Sequence, residues 1–164
     1  MLGFEYHLDT CIGCGACQVA CQDAHHLLSH EYFRKVVFVE KLHRYVSMSC
    51  NHCQEAACVK KCETGAMYIK EGVVLHNDSL CIGCGECQSV CPYQAISLSE
   101  KYGWAQKCDS CYEARQQGKL PVCVASCPTH SLLFKEIKER NDLGLGQGNT
   151  LPNLCIVGDI DEKI

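Results

Sequence analysis

Cys81-Ile82-Gly83-Cys84-Gly85-Glu86-Cys87-Gln88-Ser89-Val90-Cys91-Pro92 sets four cysteines at C-x2-C-x2-C-x3-C, with a proline after the last. That spacing belongs to iron–sulfur chemistry. Three thiolates on a tight, glycine-assisted loop converge on one [4Fe–4S] cube, and the fourth, about a helical turn further on, points away to a second. The run is incomplete by itself, so the rest of the chain must hold its partner.

The chain has 17 cysteines in 164 residues. Sixteen form four quartets: Cys11, Cys14, Cys17, Cys21; Cys50, Cys53, Cys58, Cys62; Cys81, Cys84, Cys87, Cys91; and Cys108, Cys111, Cys123, Cys127. The first repeats the third, with Gln22 where proline is expected. The second and fourth share a C-x2-C pair, a variable gap and a C-x3-C pair. They continue as Glu63-Thr64-Gly65-Ala66-Met67 and Pro128-Thr129-His130-Ser131-Leu132. This is an internal repeat. It reads as an α+β protein made of two copies of a two-cluster ferredoxin, each a small βαββαβ module with one quartet of each type. Four intact quartets predict four [4Fe–4S] clusters. A disulfide scaffold would come with a secretion signal. Structural zinc uses paired C-x2-C and has no use for a third cysteine at that interval.

Other features exclude more than they add. The formal charge is −4 and charged residues are 21%, with no basic block for nucleic acid or an anionic membrane. Apolar runs such as Val36–Val39 are far too short to cross a membrane. Met1-Leu2-Gly3-Phe4-Glu5-Tyr6-His7 lacks the basic and apolar regions of a signal peptide. There is no P-loop, G-x-G-x-x-G or H-E-x-x-H, so the chain reads as a carrier of electrons and not as an enzyme. Sixteen thiolates around four cores of charge +2 would bring the oxidised holoprotein to about −12. Such anions need N–H donors, and the glycines at 13, 15, 83 and 85 let a bare backbone come close. Lys60, Lys61 and Lys107 adjoin ligands, either as solvated surface or as charges that raise a potential. His52, between two ligands, reads as a donor near a cluster. His25, His26 and His30 read as ordinary polar residues. Cys155, in the apolar Leu154-Cys155-Ile156-Val157, reads as a buried inert thiol.

Strands are expected at Phe4–Leu8, Val36–Val39, Arg44–Met48 and Leu132–Phe134. Hairpins are expected around Glu71-Gly72 and Gly103. Helices are expected over 18–28, 54–61 and 135–141, and Gly144–Gly148 reads as a linker. Two pairings of quartets use one of each type. A sequential scheme joins first with second and third with fourth. A nested scheme joins second with third and encloses them between first and fourth. Spacing leaves both open, the long gap from Cys21 to Cys50 weighing slightly against the sequential one.

From Ser47 to Phe134 the motifs Cys50-Asn51-His52-Cys53, Cys81-Ile82-Gly83-Cys84, Cys91-Pro92-Tyr93, Lys107-Cys108-Asp109-Ser110-Cys111 and Cys123-Val124-Ala125-Ser126-Cys127-Pro128 stand together. In these the chain resembles the iron–sulfur electron-transfer subunits of the dimethyl sulfoxide reductase family. Glu63 replaces a proline usual there, and the segment between the first two quartets is compact. The resemblance implies nesting. An inner module would span 43–100, an outer one 1–42 with 101–142, and a C-terminal tail 143–164. It implies cubes held by Cys11, Cys14, Cys17, Cys127; by Cys108, Cys111, Cys123, Cys21; by Cys50, Cys53, Cys58, Cys91; and by Cys81, Cys84, Cys87, Cys62. It also implies a large catalytic partner with a molybdenum or tungsten bis-pterin cofactor. The other end would meet a second redox subunit, a membrane anchor or a soluble donor. The alternative is a multi-cluster ferredoxin serving a hydrogenase, a formate dehydrogenase or a carbon monoxide dehydrogenase. Either fits a cytoplasmic protein, or one exported folded with a signal-bearing partner.

Overall fold

The computed structural model describes residues 1–146 and 150–158. Strand β1 (Leu2–His7) alternates as the sequence predicts, and Phe4, Tyr6 and the following Leu8 turn inward. Burying side chains of this size contributes about 1.5–3 kcal/mol each. β1 pairs antiparallel with β8 (Leu132–Glu136), Phe4 opposite Phe134 and Tyr6 opposite Leu132. On its other edge it pairs parallel with β9 (Leu154–Val157), Phe4 opposite Leu154. The first strand of the chain is thus the middle of a three-stranded sheet.

Two expectations fail here for one reason. The helix over 135–141 does not form: Lys135 and Glu136 extend β8 as far as Leu2, and the buried Ile137 donates its N–H to the Met1 carbonyl at 2.8 Å. Helix propensity is worth only tenths of a kcal/mol per residue, and an open strand edge outweighs it. The segment 143–164 is not simply a tail, because its 154–157 part is β9, held also by Asn141 through N–H and C=O bonds to Leu154 and Ile156. Of the expected linker, Gln147 and Gly148 lie outside the described residues.

The remaining strands form three hairpins. β2 (Arg34–Val39) pairs with β3 (Arg44–Ser49), β4 (Met67–Lys70) with β5 (Val73–His76), and β6 (Ser97–Leu98) with β7 (Ala105–Gln106). Glu71 and Gly72 both have positive φ, as a two-residue hairpin turn with right-handed strand twist requires. The first and third hairpins straddle residues 42/43 and 100/101, where the module boundaries were expected. Arg44–Ser49 therefore pairs with its predecessor rather than with a strand of the 43–100 segment.

Short helices carry the cysteines: α1 (Ala16–Ala24), α2 (Ala57–Lys61), α3 (Glu86–Ser89), α4 (Tyr112–Gln116) and α5 (Val122–Ala125). α1 ends before the expected residue 28, where His26 takes a left-handed conformation. α1 packs on α5 and α2 on α3, so helices distant in sequence meet in two places. Each meeting point has its own core. One contains Phe4, Tyr6, Leu8, Val46, Leu132 and Ile156 with Cys50, Cys108 and Cys123; the other contains Met67, Val74, Ile96 and Ala105 with Cys58 and Cys87.

Candidate iron–sulfur centres

Cys62, Cys81, Cys84 and Cys87 line one cavity of about 310 Å³. Cys50, Cys53, Cys58 and Cys91 line a second. In each, three cysteines come from one quartet and the last cysteine comes from the other, because α2 and α3 lie side by side. The packing of α1 on α5 likewise brings cysteines of the first quartet beside cysteines of the fourth. The charges most felt by Cys17 include those of Cys123 and Cys127, and those felt by Cys21 include Cys123 and Cys111. Cys108 in turn feels Cys21 and Cys123.

The loops that present these sulfurs repeat in three dimensions. Gly13 and Gly83 both have positive φ, near +69° and +68°, and each lies against a hairpin. A Cβ on Gly13 would stand 2.6 Å from the Tyr45 ring, and one on Gly83 would stand 2.3 Å from the Gly103 carbonyl oxygen. The β2–β3 hairpin thus roofs the first quartet and the β6–β7 hairpin roofs the third. Both roofs reach sulfur: Ser47 Oγ lies within hydrogen-bonding distance of Cys17 Sγ, at 3.4 Å, and the Ala105 N–H donates to Cys81 Sγ at 3.4 Å.

Further donors sit at related places. Met67 N–H donates to Cys62, Ala95 N–H to Cys91 and Ser110 N–H to Cys108, at 3.3–3.5 Å. Thr64 and Thr129, each two residues past the last cysteine of its quartet, reach Cys62 and Cys127 at 3.6 and 3.7 Å. Burial pushes these two thiols up, but the backbone and threonine donors outweigh it and hold both below the ordinary thiol range. Elsewhere burial dominates. Cys21 and Cys58 are pushed up to about 12 and Cys53 to about 11, and Cys108 well above its ordinary value. Such buried thiols ionise when a metal cation replaces the proton. A cationic iron core bonded to four converging sulfurs, with N–H donors already aimed at them, fits this donor set.

Two buried cations adjoin the cysteines. Arg34 is only 2% exposed. Its guanidinium donates to the Ser47 carbonyl and hydroxyl and to the Ser49 hydroxyl at 2.8–3.1 Å, and stacks on the Phe4 ring at 4.5 Å. Sequence reading missed it, since nothing in a strand pattern marks one arginine as inward. Lys107 is 5% exposed and donates to the carbonyls of Val74 and Cys108. That removes it from the solvated-surface reading, whereas Lys60 and Lys61 are exposed and pair with Glu55 and Glu86.

His52 is buried, with Nδ1 3.9 Å from Cys50 Sγ. Burial, then Lys107, Arg115 and Arg34, press its imidazole well below the usual histidine range, so it is neutral. His25, His26 and His30 do not converge: His25 faces Asp109 and Cys111, while His30 pairs with Glu100. Cys155 is half-buried in β9.

Residues 42–137 match the family described as "4Fe-4S dicluster domain", and residues 8–24 match "4Fe-4S binding domain". The chain is 38% identical over 152 residues to the B subunit of the anaerobic dimethyl sulfoxide reductase of Escherichia coli (strain K12), covering 84% of this chain and 74% of that one. It is 36% identical over 157 residues to the subunit of the same name from Haemophilus influenzae, with 84% and 75% covered. It is 34% identical over 149 residues to Protein NrfC of Escherichia coli (strain K12), with 85% and 67% covered.

Proposed function

Because this protein belongs to the 4Fe-4S dicluster family that includes the B subunits of the anaerobic dimethyl sulfoxide reductases, and so is an iron–sulfur electron-transfer subunit, we propose that it holds four [4Fe–4S] clusters in a single file between two redox partners. The observation that carries this is the gradient of cysteine exposure. Cys14 and Cys84, at the same place in the two repeated motifs, are exposed, while of the six buried cysteines five, Cys21, Cys50, Cys58, Cys108 and Cys123, fall in the two middle sets named below and one, Cys87, in an end set.

The ligand sets are Cys11, Cys14, Cys17 and Cys127 at one end and Cys62, Cys81, Cys84 and Cys87 at the other. Between them stand Cys108, Cys111, Cys123 and Cys21, and Cys50, Cys53, Cys58 and Cys91. The two cavities lined by whole sets support the second half of this assignment, and the packing of α1 on α5 supports the first. The β8–β1 pairing supports an outer module of 1–42 with 101–142 around an inner one of 43–100. The hairpins β2–β3 and β6–β7 join the two.

When bound, each cluster supplies a one-electron couple somewhere between about −700 and +450 mV. The protein's own work is to fix the sulfurs, to aim N–H and hydroxyl donors at them, and to keep water from the middle of the file. No residue set on the chain performs bond chemistry in this reading. One end docks a large catalytic subunit with a molybdenum or tungsten bis-pterin cofactor. The other meets a second redox subunit, a membrane anchor or a soluble donor. Among the described residues no helix is long and apolar enough to cross a membrane. The complex works in the cytoplasm or is exported folded.

Anaerobic purification with iron and sulfide assays tests the count: about sixteen of each per chain are expected, and near eight, or mostly zinc, refutes it. The proteins that co-purify test the partner. A large pterin-bearing subunit is expected, and a hydrogenase or carbon monoxide dehydrogenase in its place would refute that assignment.

A further inference from the structure

Burying a cation costs several kcal/mol unless an anion accompanies it. Arg34 and Lys107 are both buried, yet among the described residues neither forms an ion pair with a carboxylate. Their direct partners are neutral oxygens: Ser47 and Ser49 for the guanidinium, the carbonyls of Val74 and Cys108 for the ammonium. Neutral acceptors fix a cation in place but leave its charge uncompensated.

The groups of opposite charge that act most on Arg34 are cysteine sulfurs. Arg34 feels Cys123, Cys108, Cys17 and Cys21, in that order. It also reaches one of them through a hydroxyl: Nη1 donates to Ser47 Oγ at 3.0 Å, and that oxygen lies 3.4 Å from Cys17 Sγ. Lys107 donates to the carbonyls of Cys108 and of Val74, which lines the cavity of Cys50, Cys53, Cys58 and Cys91, and its charge acts on Cys58. Cys50 and Cys108 belong to one core, so the two cations stand where the first and fourth quartets meet the second and third. His52 lies at the same junction. An oxidised cube with four thiolates carries a net charge of about −2, the anion that this place lacks.

We propose that Arg34 and Lys107 are built-in counter-cations for the two middle cubes. Arg34 serves the one held by Cys108, Cys111, Cys123 and Cys21, whose Cys108 and Cys123 share a core with the Phe4 ring under its guanidinium, and Lys107 the one held by Cys50, Cys53, Cys58 and Cys91. This rests on the four-cube assignment above. A fixed positive charge stabilises the more negative, reduced form of a cube over the oxidised form, so both residues raise the midpoints of the interior of the file. Low dielectric strengthens the effect. An electron entering at either end then finds its resting place inside. The same charges offset the mutual repulsion of two anionic cubes across the junction.

The test uses the full chain, purified anaerobically, as wild type, Arg34→Gln, Arg34→Lys and Lys107→Gln. Iron content and an EPR-monitored potentiometric titration are read for each. With full iron, Arg34→Gln should shift the reduction equilibrium of one cube at least tenfold toward the oxidised form, about 59 mV for one electron. Lys107→Gln should shift a different cube, and Arg34→Lys should restore most of the loss. Loaded Gln variants with every midpoint within threefold of wild type would overturn the assignment. Should Arg34→Gln fail to load, Lys107→Gln decides by the same criterion. Wild-type iron near eight would instead count against the four-cube reading, a result distinct from full iron with unmoved midpoints.

Discussion

Gly83→Ala and Gly85→Ala differ in one physical respect. Both glycines lie on the same cysteine loop with φ near +68° and +77°, so a Cβ strains the backbone by about 1–2 kcal/mol at either. At Gly85 the new methyl meets only Leu98 Cδ1, at 3.8 Å. At Gly83 it would stand 2.3 Å from a backbone oxygen, that of Gly103. Restoring ordinary contact requires the β6–β7 roof to lift by about 1 Å. The roof carries the Ala105 N–H, now 3.4 Å from Cys81 Sγ, and such a lift takes it out of hydrogen-bonding range. A bond to a charged acceptor is worth about 1.5–3 kcal/mol. The expected cost is therefore about 2.5–5 kcal/mol for Gly83→Ala against about 1–2 kcal/mol for Gly85→Ala. The lost donor favoured the reduced cube, so Gly83→Ala should also lower one midpoint by on the order of 30–60 mV. Iron release to a chelator and an EPR titration read the two effects. Equal release rates and equal midpoints in the two variants would refute the roof as the source of the difference.

Cys155→Ser should keep the full iron content, about sixteen per chain; loss of about four irons would make Cys155 a ligand. Leu8→Ala, at a side chain with no exposure, should cost about 2–5 kcal/mol and weaken iron binding by the first and fourth quartets before the others, as EPR of partly chelated protein can show. Removing the iron should unfold the chain, since binding energy and folding energy are then the same; native-like circular dichroism and protease resistance in the stripped protein would contradict this. Glu31 is buried and accepts from the N–H groups of Leu28 and Glu100. Burial pushes its carboxyl up, but these donors hold it below 4.5. Its stabilisation is thus complete above that pH and lost as pH falls further. Glu31→Ala should cost about 1–3 kcal/mol at neutral pH, seen as faster proteolysis of the 28–33 segment.

The cysteine spacing made the chemistry legible, because ligand geometry forces short intervals that survive in one dimension. Hairpins at Glu71-Gly72 and Gly103 were legible for a similar reason: their turns demand particular backbone angles. Arg34 was not legible, since its burial depends on Ser47 and Ser49, which only the β2–β3 register places beside it. Lys107 was suspected from its position next to a ligand, yet exposure is a tertiary property that no neighbour in sequence declares. The stretch 135–141 misleads because its local preference is helical while its neighbour is a strand edge. β9 was hidden by its brevity. Four apolar residues after a glycine-rich stretch carry no periodicity, and only the parallel edge of β1 gives them a place.

The order β8-β1-β9 has a consequence for biosynthesis. Among the described strands, the one made first is flanked by the two made last, and α1 finds its packing partner α5 about a hundred residues later. At about 5–20 residues per second on the ribosome, Phe4 and Tyr6 wait for up to tens of seconds before either edge of their sheet exists. During that interval the segments that form the hairpins and helices of the middle of the chain have already been made. The machinery that delivers iron therefore meets a nascent chain whose centre can be loaded while its beginning is still open, with the sulfurs of Cys11, Cys14 and Cys17 accessible to oxygen. Arrested translation or a truncated message should yield a chain that keeps its central iron and is destroyed from its front.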